Sequence, residues 1–91
     1  MKSVTALDWL EETVAHIARH HVTPDEVEHL CFSEESIIER GRGEDIYYVT
    51  GQTDAGRYLF VVVRYLGRGR ARAITARDME KMERARYQKR R

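Results

Sequence analysis

The sequence predicts an α+β domain: two N-terminal helices (residues 8–32), a four-stranded antiparallel β-meander (36–75) and a C-terminal helix (76–88). Three observations carry that prediction. Arg57 to Tyr65 is an almost unbroken run of β-branched and aromatic residues, which suits a central strand with apolar partners on both faces. Glycine-bearing breaks flank it at Gly41-Arg42-Gly43 and Leu66-Gly67-Arg68-Gly69, the residues of tight reversals. Helix-start signals fall outside this region, at Asp8, Thr23 and Thr75. With 91 residues there is room for one modest core, so the elements are read as a single domain.

The elements follow in order. Met1 to Leu7 is weakly patterned, a frayed end or a brief edge strand. Asp8 with Glu11 three residues on resembles a capping box, and Leu10, Val14 and Ile17 form one stripe of a helix reaching about His20. Thr23-Pro24-Asp25-Glu26 is a second start: a capping hydroxyl, a proline where no amide partner is lost, then two acids at the positive end of the dipole. Val27, Leu30 and Cys31 face inward from this helix, which ends near Phe32. Ser36 to Arg40 and Asp45 to Thr53 have the residue types of the first two strands, and Thr53-Asp54-Ala55-Gly56 turns the chain into the central one. On the returning strand, Arg70 to Thr75, a period of two puts Arg70 and Arg72 on one face and Ala71 and Ala73 on the other. Thr75 and Asp78 read as a capping box for the last helix, whose inward side chains are expected to be Met79, Met82 and Tyr87. Lys89-Arg90-Arg91 is a tail.

The near-neutral composition hides an asymmetry. From Arg64 onward there are 11 basic and 3 acidic residues, net +8, whereas Met1 to Val63 carries 5 basic and 12 acidic, net −7. Such a division points to a polyanion-binding surface in the second half, against the plainer reading of a solvated helix face and tail. No apolar run approaches the roughly 20 residues of a membrane span, and no secretory pattern stands at the start, so a cytoplasmic protein without membrane contact is expected. The one cysteine, Cys31, cannot form an internal disulfide and reads as a small buried residue.

His16, His20 and His21 cluster at the end of the first helix, with His16 and His20 on one face. The zincin pattern fails because Ile17 stands where the glutamate belongs, so no metal site is assigned. A histidine near a helix end also serves the dipole or a cap. No nucleotide-binding loop, nucleophile elbow or CxxC pair is present, so no cofactor is expected.

The segment HIARHHVTPDEVE, His16 to Glu28, resembles the N-x-x-K-H-G-[VI]-[ST] motif and following acidic helix of BrnT-type toxins of bacterial toxin-antitoxin pairs. Arg70 to Tyr87 is similar to that family's R-[IV]-R-[IV]-I-S-A-R junction and R-R-x-Y ending, and the resemblance extends over the chain from about Trp9. It implies a RelE-like fold and a ribonuclease that uses no metal and is neutralised by a cognate antitoxin. Carried over by position, the family's K-H pair falls on Arg19 and His20, its R-x-R on Arg70 and Arg72, its S-A-R on Thr75, Ala76 and Arg77, and its closing aromatic on Tyr87. The family asparagine is His16 here, its glycine after K-H is His21, and one residue is missing between Trp9 and the motif.

RNA cleavage by its own 2′-hydroxyl needs a base, cations for the charge growing on phosphate, and a proton donor for the leaving oxygen. The resemblance offers Arg70, Arg72 and Arg77 for the phosphate, with Arg77 expected at the start of the last helix where the dipole also favours an anion. His20 is the proton-transfer candidate, and Tyr87 would stack a base or assist. Arg19, Arg64, Arg68 and Arg84 are the further cations available to nucleic acid. The plain structural readings are an ion-paired strand face for Arg70 and Arg72 and core packing for Tyr87. The expected partners are RNA and an antitoxin protein, with a homodimer also open. The rival reading is a non-enzymatic domain of the same fold that binds nucleic acid or an acidic partner.

Overall fold

In the computed structural model, which describes residues 3–90, the valine-rich strand β4 (Tyr58–Gly67) is the middle of a five-stranded mixed sheet. The chain runs β1 (Ala6–Asp8), α1 (Glu11–Ala18), α2 (Pro24–Phe32), β2 (Ile37–Arg40), β3 (Ile46–Gln52), β4, β5 (Arg70–Asp78) and α3 (Lys81–Arg90), with spatial strand order β1-β5-β4-β3-β2. Residues 1 and 2 of the N-terminal stretch and Arg91 of the tail lie outside the described residues.

Alternation along β4 sorts the two faces. Leu59, Val61 and Val63 are fully buried on one face and join Ile17, Val22, Val27, Leu30 and Cys31 from the α1–α2 segment in a single core with Val49, Ala71 and Ala76. On the other face, α3 lies over the first half of β4. The Tyr87 ring meets Tyr58 at 6.0 Å, edge to face, and the Arg84 guanidinium sits 4.1 Å from the Tyr58 ring centroid. Helix α2 starts as its residues dictate: the Thr23 hydroxyl accepts from the Glu26 amide at 3.2 Å, and the Glu26 carboxylate accepts from the Thr23 amide at 3.0 Å.

Four expectations are corrected. The sheet is not a four-stranded antiparallel meander, because residues 6–8 add a fifth strand, parallel to β5, with Ala6 opposite Arg70 and Asp8 opposite Arg72. That strand covers backbone groups of β5 that would otherwise be an open edge. The capping box at Asp8 does not form. Asp8 belongs to β1 and gives its carboxylate to Arg70, so Leu10 occupies the N-cap with no side-chain bond and α1 begins only at Glu11. Leu10 is correspondingly exposed, and Thr13 takes its place beside Ile17 on the buried stripe.

The other two corrections concern the C-terminal helix. It starts at Lys81, five residues after the expected Ala76, because β5 continues against β4 with Ala76 opposite Val61, Arg77 opposite Phe60 and Asp78 opposite Leu59. Ladder bonds outweigh the local cap, and the Thr75 hydroxyl is instead bound to His16 at 3.0 Å. The helix start is served by Glu83, whose carboxylate accepts from the Glu80 amide at 2.8 Å. Met82 is not inward-facing but 85% exposed; the buried anchor of α3 is Tyr87.

Close contact between α2 and β3 depends on Gly51. A Cβ there would fall on the Ser36 hydroxyl and 3.0 Å from Leu30 Cδ1, where both neighbours are fixed: Leu30 is fully buried and Ser36 donates to the Leu30 carbonyl at 2.8 Å. Gly51→Ala should therefore cost about 1–3 kcal/mol by overpacking, read as a lower denaturant midpoint with an unchanged slope.

Candidate active site

The turn between α1 and α2 carries the histidine cluster, and its geometry comes from the backbone. His21 adopts φ 60°, the left-handed conformation that glycine takes most readily, and this ends α1 and turns the chain into Val22 and Thr23. One guanidinium holds the resulting turn. Arg57 donates to the carbonyls of His20, at 2.8 Å, and of His21, while its Nε bonds Asp78 at 2.7 Å and its Nη1 approaches Glu26 at 3.3 Å. The turn, the start of α2 and the end of β5 are thereby tied to the start of β4. Sequence reading assigned Arg57 only to the central strand; the acceptors it joins are far apart in the chain, and no local motif marks it.

His16 lies one turn before His20, and the two rings meet edge to face with centroids 5.5 Å apart. His16 Nε2 is bound to Thr75 Oγ1, so the pair is tethered to β5. At this point the pairing of β5 with β4 slips: Ala73 faces Val63 and Thr75 faces Val62, leaving Ile74 without a cross-strand partner. The exposed imidazoles thus stand beside the strand that bears the arginines.

Those arginines divide into free and occupied. Arg72 stands directly opposite Arg64, and neither makes an ion pair among the described residues; Arg64 donates only to the Glu44 carbonyl, at 2.9 Å. Like charges in that position repel, so the pair is poised to gain from an anion. Arg70 is bonded to Asp8. Arg77 is in β5 and not at a helix start, which corrects the expected dipole-assisted anion site. Its guanidinium is engaged by Glu83 at 2.8 and 3.0 Å and lies 4.5 Å from the Phe60 ring centroid, fastening α3 to the sheet.

Tyr87 is 4% exposed and packs on Tyr58 within the α3 layer, so it offers no face for a base to stack on. Arg84 covers Tyr58 on the same layer. Arg19 and Arg68 are exposed and make no ion pair among the described residues, with Arg68 in the β4–β5 turn at φ 56°. Burial, with a smaller contribution from Glu28, pushes the Cys31 thiol up to about 12, leaving it inert near neutral pH. Among the described residues no three His, Cys, Asp or Glu side chains gather as metal ligands.

The two engaged carboxylates respond to pH. The hydrogen bond from Arg57 holds the Asp78 carboxyl below its ordinary 3.8, and that from Arg77 holds Glu83 below its ordinary 4.5. As pH falls the unfolded chain takes up these protons first, so the stabilisation is complete above the ordinary values and is lost as pH drops through the lower folded-state ones. Asp78→Asn and Glu83→Gln should each lower the urea midpoint near pH 7 and make it fall less between about pH 5 and pH 3 than the wild-type midpoint does.

The chain matches the family model described as the ribonuclease toxin BrnT of type II toxin-antitoxin systems over residues 9–83. No curated protein sequence matches it at a significant level. Among solved structures, the Brucella abortus ribonuclease toxin BrnT, determined at 1.1 Å, superposes with a TM-score of 0.68 at 15% identity, covering 86% of this chain and 100% of that one. That likeness extends to the fold, α+β with a five-stranded mixed sheet and three helices, and the family model spans most of the sequence. This chain belongs to the BrnT family of ribonuclease toxins of type II toxin-antitoxin systems.

Proposed function

We propose that this toxin cleaves RNA in the cytoplasm at the edge of β5, by metal-independent transesterification in which His16 and His20 move protons and Arg72 and Arg64 hold the phosphate. One observation carries the reading. The His16–Thr75 hydrogen bond and the His16–His20 ring contact hold two imidazoles against β5, the strand that carries Arg72, and Arg72 with Arg64 opposite it has no carboxylate of its own.

The chemistry balances without a cofactor. One imidazole takes the proton of the 2′-hydroxyl as that oxygen attacks phosphorus. The protonated partner gives its proton to the departing 5′-oxygen, leaving a 2′,3′-cyclic phosphate and a free 5′-hydroxyl. The arginines meet the negative charge that grows on the non-bridging oxygens, and their permanently charged planar groups suit that task. Thr75 orients the His16 ring, and Arg57 orients His20 through its backbone carbonyl. Arg77 anchors α3 to the sheet through Glu83. The antitoxin partner follows from the type II family.

His16→Ala and His20→Ala should each lower cleavage of single-stranded RNA about 10²–10⁴-fold with the thermal midpoint little changed, the scale of a lost general acid or base. Products should end in 2′,3′-cyclic phosphate, and chelator should leave the rate unchanged. A folded, fully active His20→Ala removes the imidazole pair from the mechanism, and activity lost to chelator but restored by zinc or manganese removes its metal independence.

A further inference from the structure

The two faces of the sheet are not covered alike. On the core face α1 and α2 pack their side chains against the sheet, whereas on the other face α3 covers only the first half of β4, over Tyr58 and Phe60. Beyond it, alternation puts Val62, Arg64 and Leu66 of β4 beside Arg70, Arg72 and Ile74 of β5. Leu66 is 44% exposed and Ile74 37%, large apolar side chains exposed among the strip's cations. Asp8 is the carboxylate beside these cations; it lies opposite Arg72 in register but is bonded to Arg70.

From this we infer that the antitoxin neutralises the toxin by laying an acidic amphipathic helix over this half of the sheet, beside α3, with apolar side chains on Leu66, Ile74 and Val62 and carboxylates on Arg64 and Arg72. Charge and shape both favour that occupant. The Arg64–Arg72 repulsion is relieved by an anion, and forked carboxylate–guanidinium pairs suit it. Phosphate alone leaves Leu66 and Ile74 bare, while a polypeptide helix buries them and completes the helical layer that α3 begins. A helix placed there covers Arg72, so bound antitoxin excludes RNA from the site proposed above. The docking surface rests on that reading only for this exclusion.

The test uses the antitoxin that co-purifies with the wild-type toxin, measured against Leu66→Asp, Ile74→Ser and, on the outward side of α3, Met82→Asp. Leu66 and Met82 stand outside the proposed RNA-cleaving group. Leu66→Asp should weaken antitoxin binding by tenfold or more with the thermal midpoint little changed, Ile74→Ser should weaken binding less, and Met82→Asp should leave it unchanged. Wild-type affinity in a folded Leu66→Asp overturns the inference, as does loss of binding in Met82→Asp, which would move the interface to α3. Wild-type toxin that cleaves no RNA yet loses the antitoxin through Leu66→Asp would overturn the ribonucleolytic reading and keep the docking surface.

Discussion

Arg57 is the interaction on which the rest of the arrangement depends. Its side chain is only 25% exposed, and it makes charge-assisted contacts to four groups in three parts of the chain, the carboxylates of Glu26 and Asp78 and two backbone carbonyls of the α1–α2 turn. That turn contains a histidine in left-handed backbone geometry, a conformation costing on the order of 1–3 kcal/mol. The same conformation presents the His20 and His21 carbonyls to the guanidinium, so the strain and the clamp are parts of one device. Glu26 serves twice, since its Oε1 accepts from the Thr23 amide in the α2 capping box and also faces Arg57. Local helix initiation and long-range closure therefore share one carboxylate.

Charge pairing explains why a net of +8 over the second half does not make a uniformly basic surface. Arg70 is matched by Asp8, Arg77 by Glu83 and Arg90 by Glu39. Two of these partners come from the acidic first part of the chain, so the asymmetry between halves serves in part to join them. Among the described residues, Arg64 and Arg72 face each other across β4 and β5 without a carboxylate, and Arg68 in the β4–β5 turn and Lys81, Arg84, Arg86 and Lys89 of α3 make no ion pair either. A polyanion meeting this protein is attracted both to the β4–β5 strip and to the outer side of α3.

The parts of the fold that sequence made legible are those fixed within a few residues. Thr23, Pro24 and Glu26 specify the start of α2 by bonds inside one helical turn, and the run from Tyr58 to Tyr65 reads as a central strand because β3 and β5 pair on both its edges and Leu59, Val61 and Val63 are buried. Elements decided by distant partners were legible only in part: a brief edge strand is one of two readings of the first seven residues, with no partner assigned to it. Residues 6–8 become a strand only because β5 offers an edge, and Thr75 to Asp78 stay extended because Val61, Phe60 and Leu59 pair with them, although Thr75 and Asp78 have the residue types of a helix start. The same limit applies to the site. Arg77 has the chemistry of a phosphate ligand, but Glu83 and Phe60 occupy it; His16 looked like half of an incomplete metal pair, and only the approach of Thr75 gives its ring an orientation.

The slip in register at Ile74 joins these observations. A continuous β4–β5 ladder would keep strict alternation, and β5 would carry one unbroken row of outward side chains to Asp78. With Ile74 unpaired, Ala73 and Ala76 are both buried although three residues apart, and Thr75 lies between them at the point where α1 crosses β5. One extra residue in the strand thus keeps small side chains under the helix on both sides of the irregularity, and brings a hydroxyl within hydrogen-bond reach of His16. The bulge also exposes Ile74 next to Arg72, so the same irregularity that orients an imidazole places an apolar side chain among the free cations.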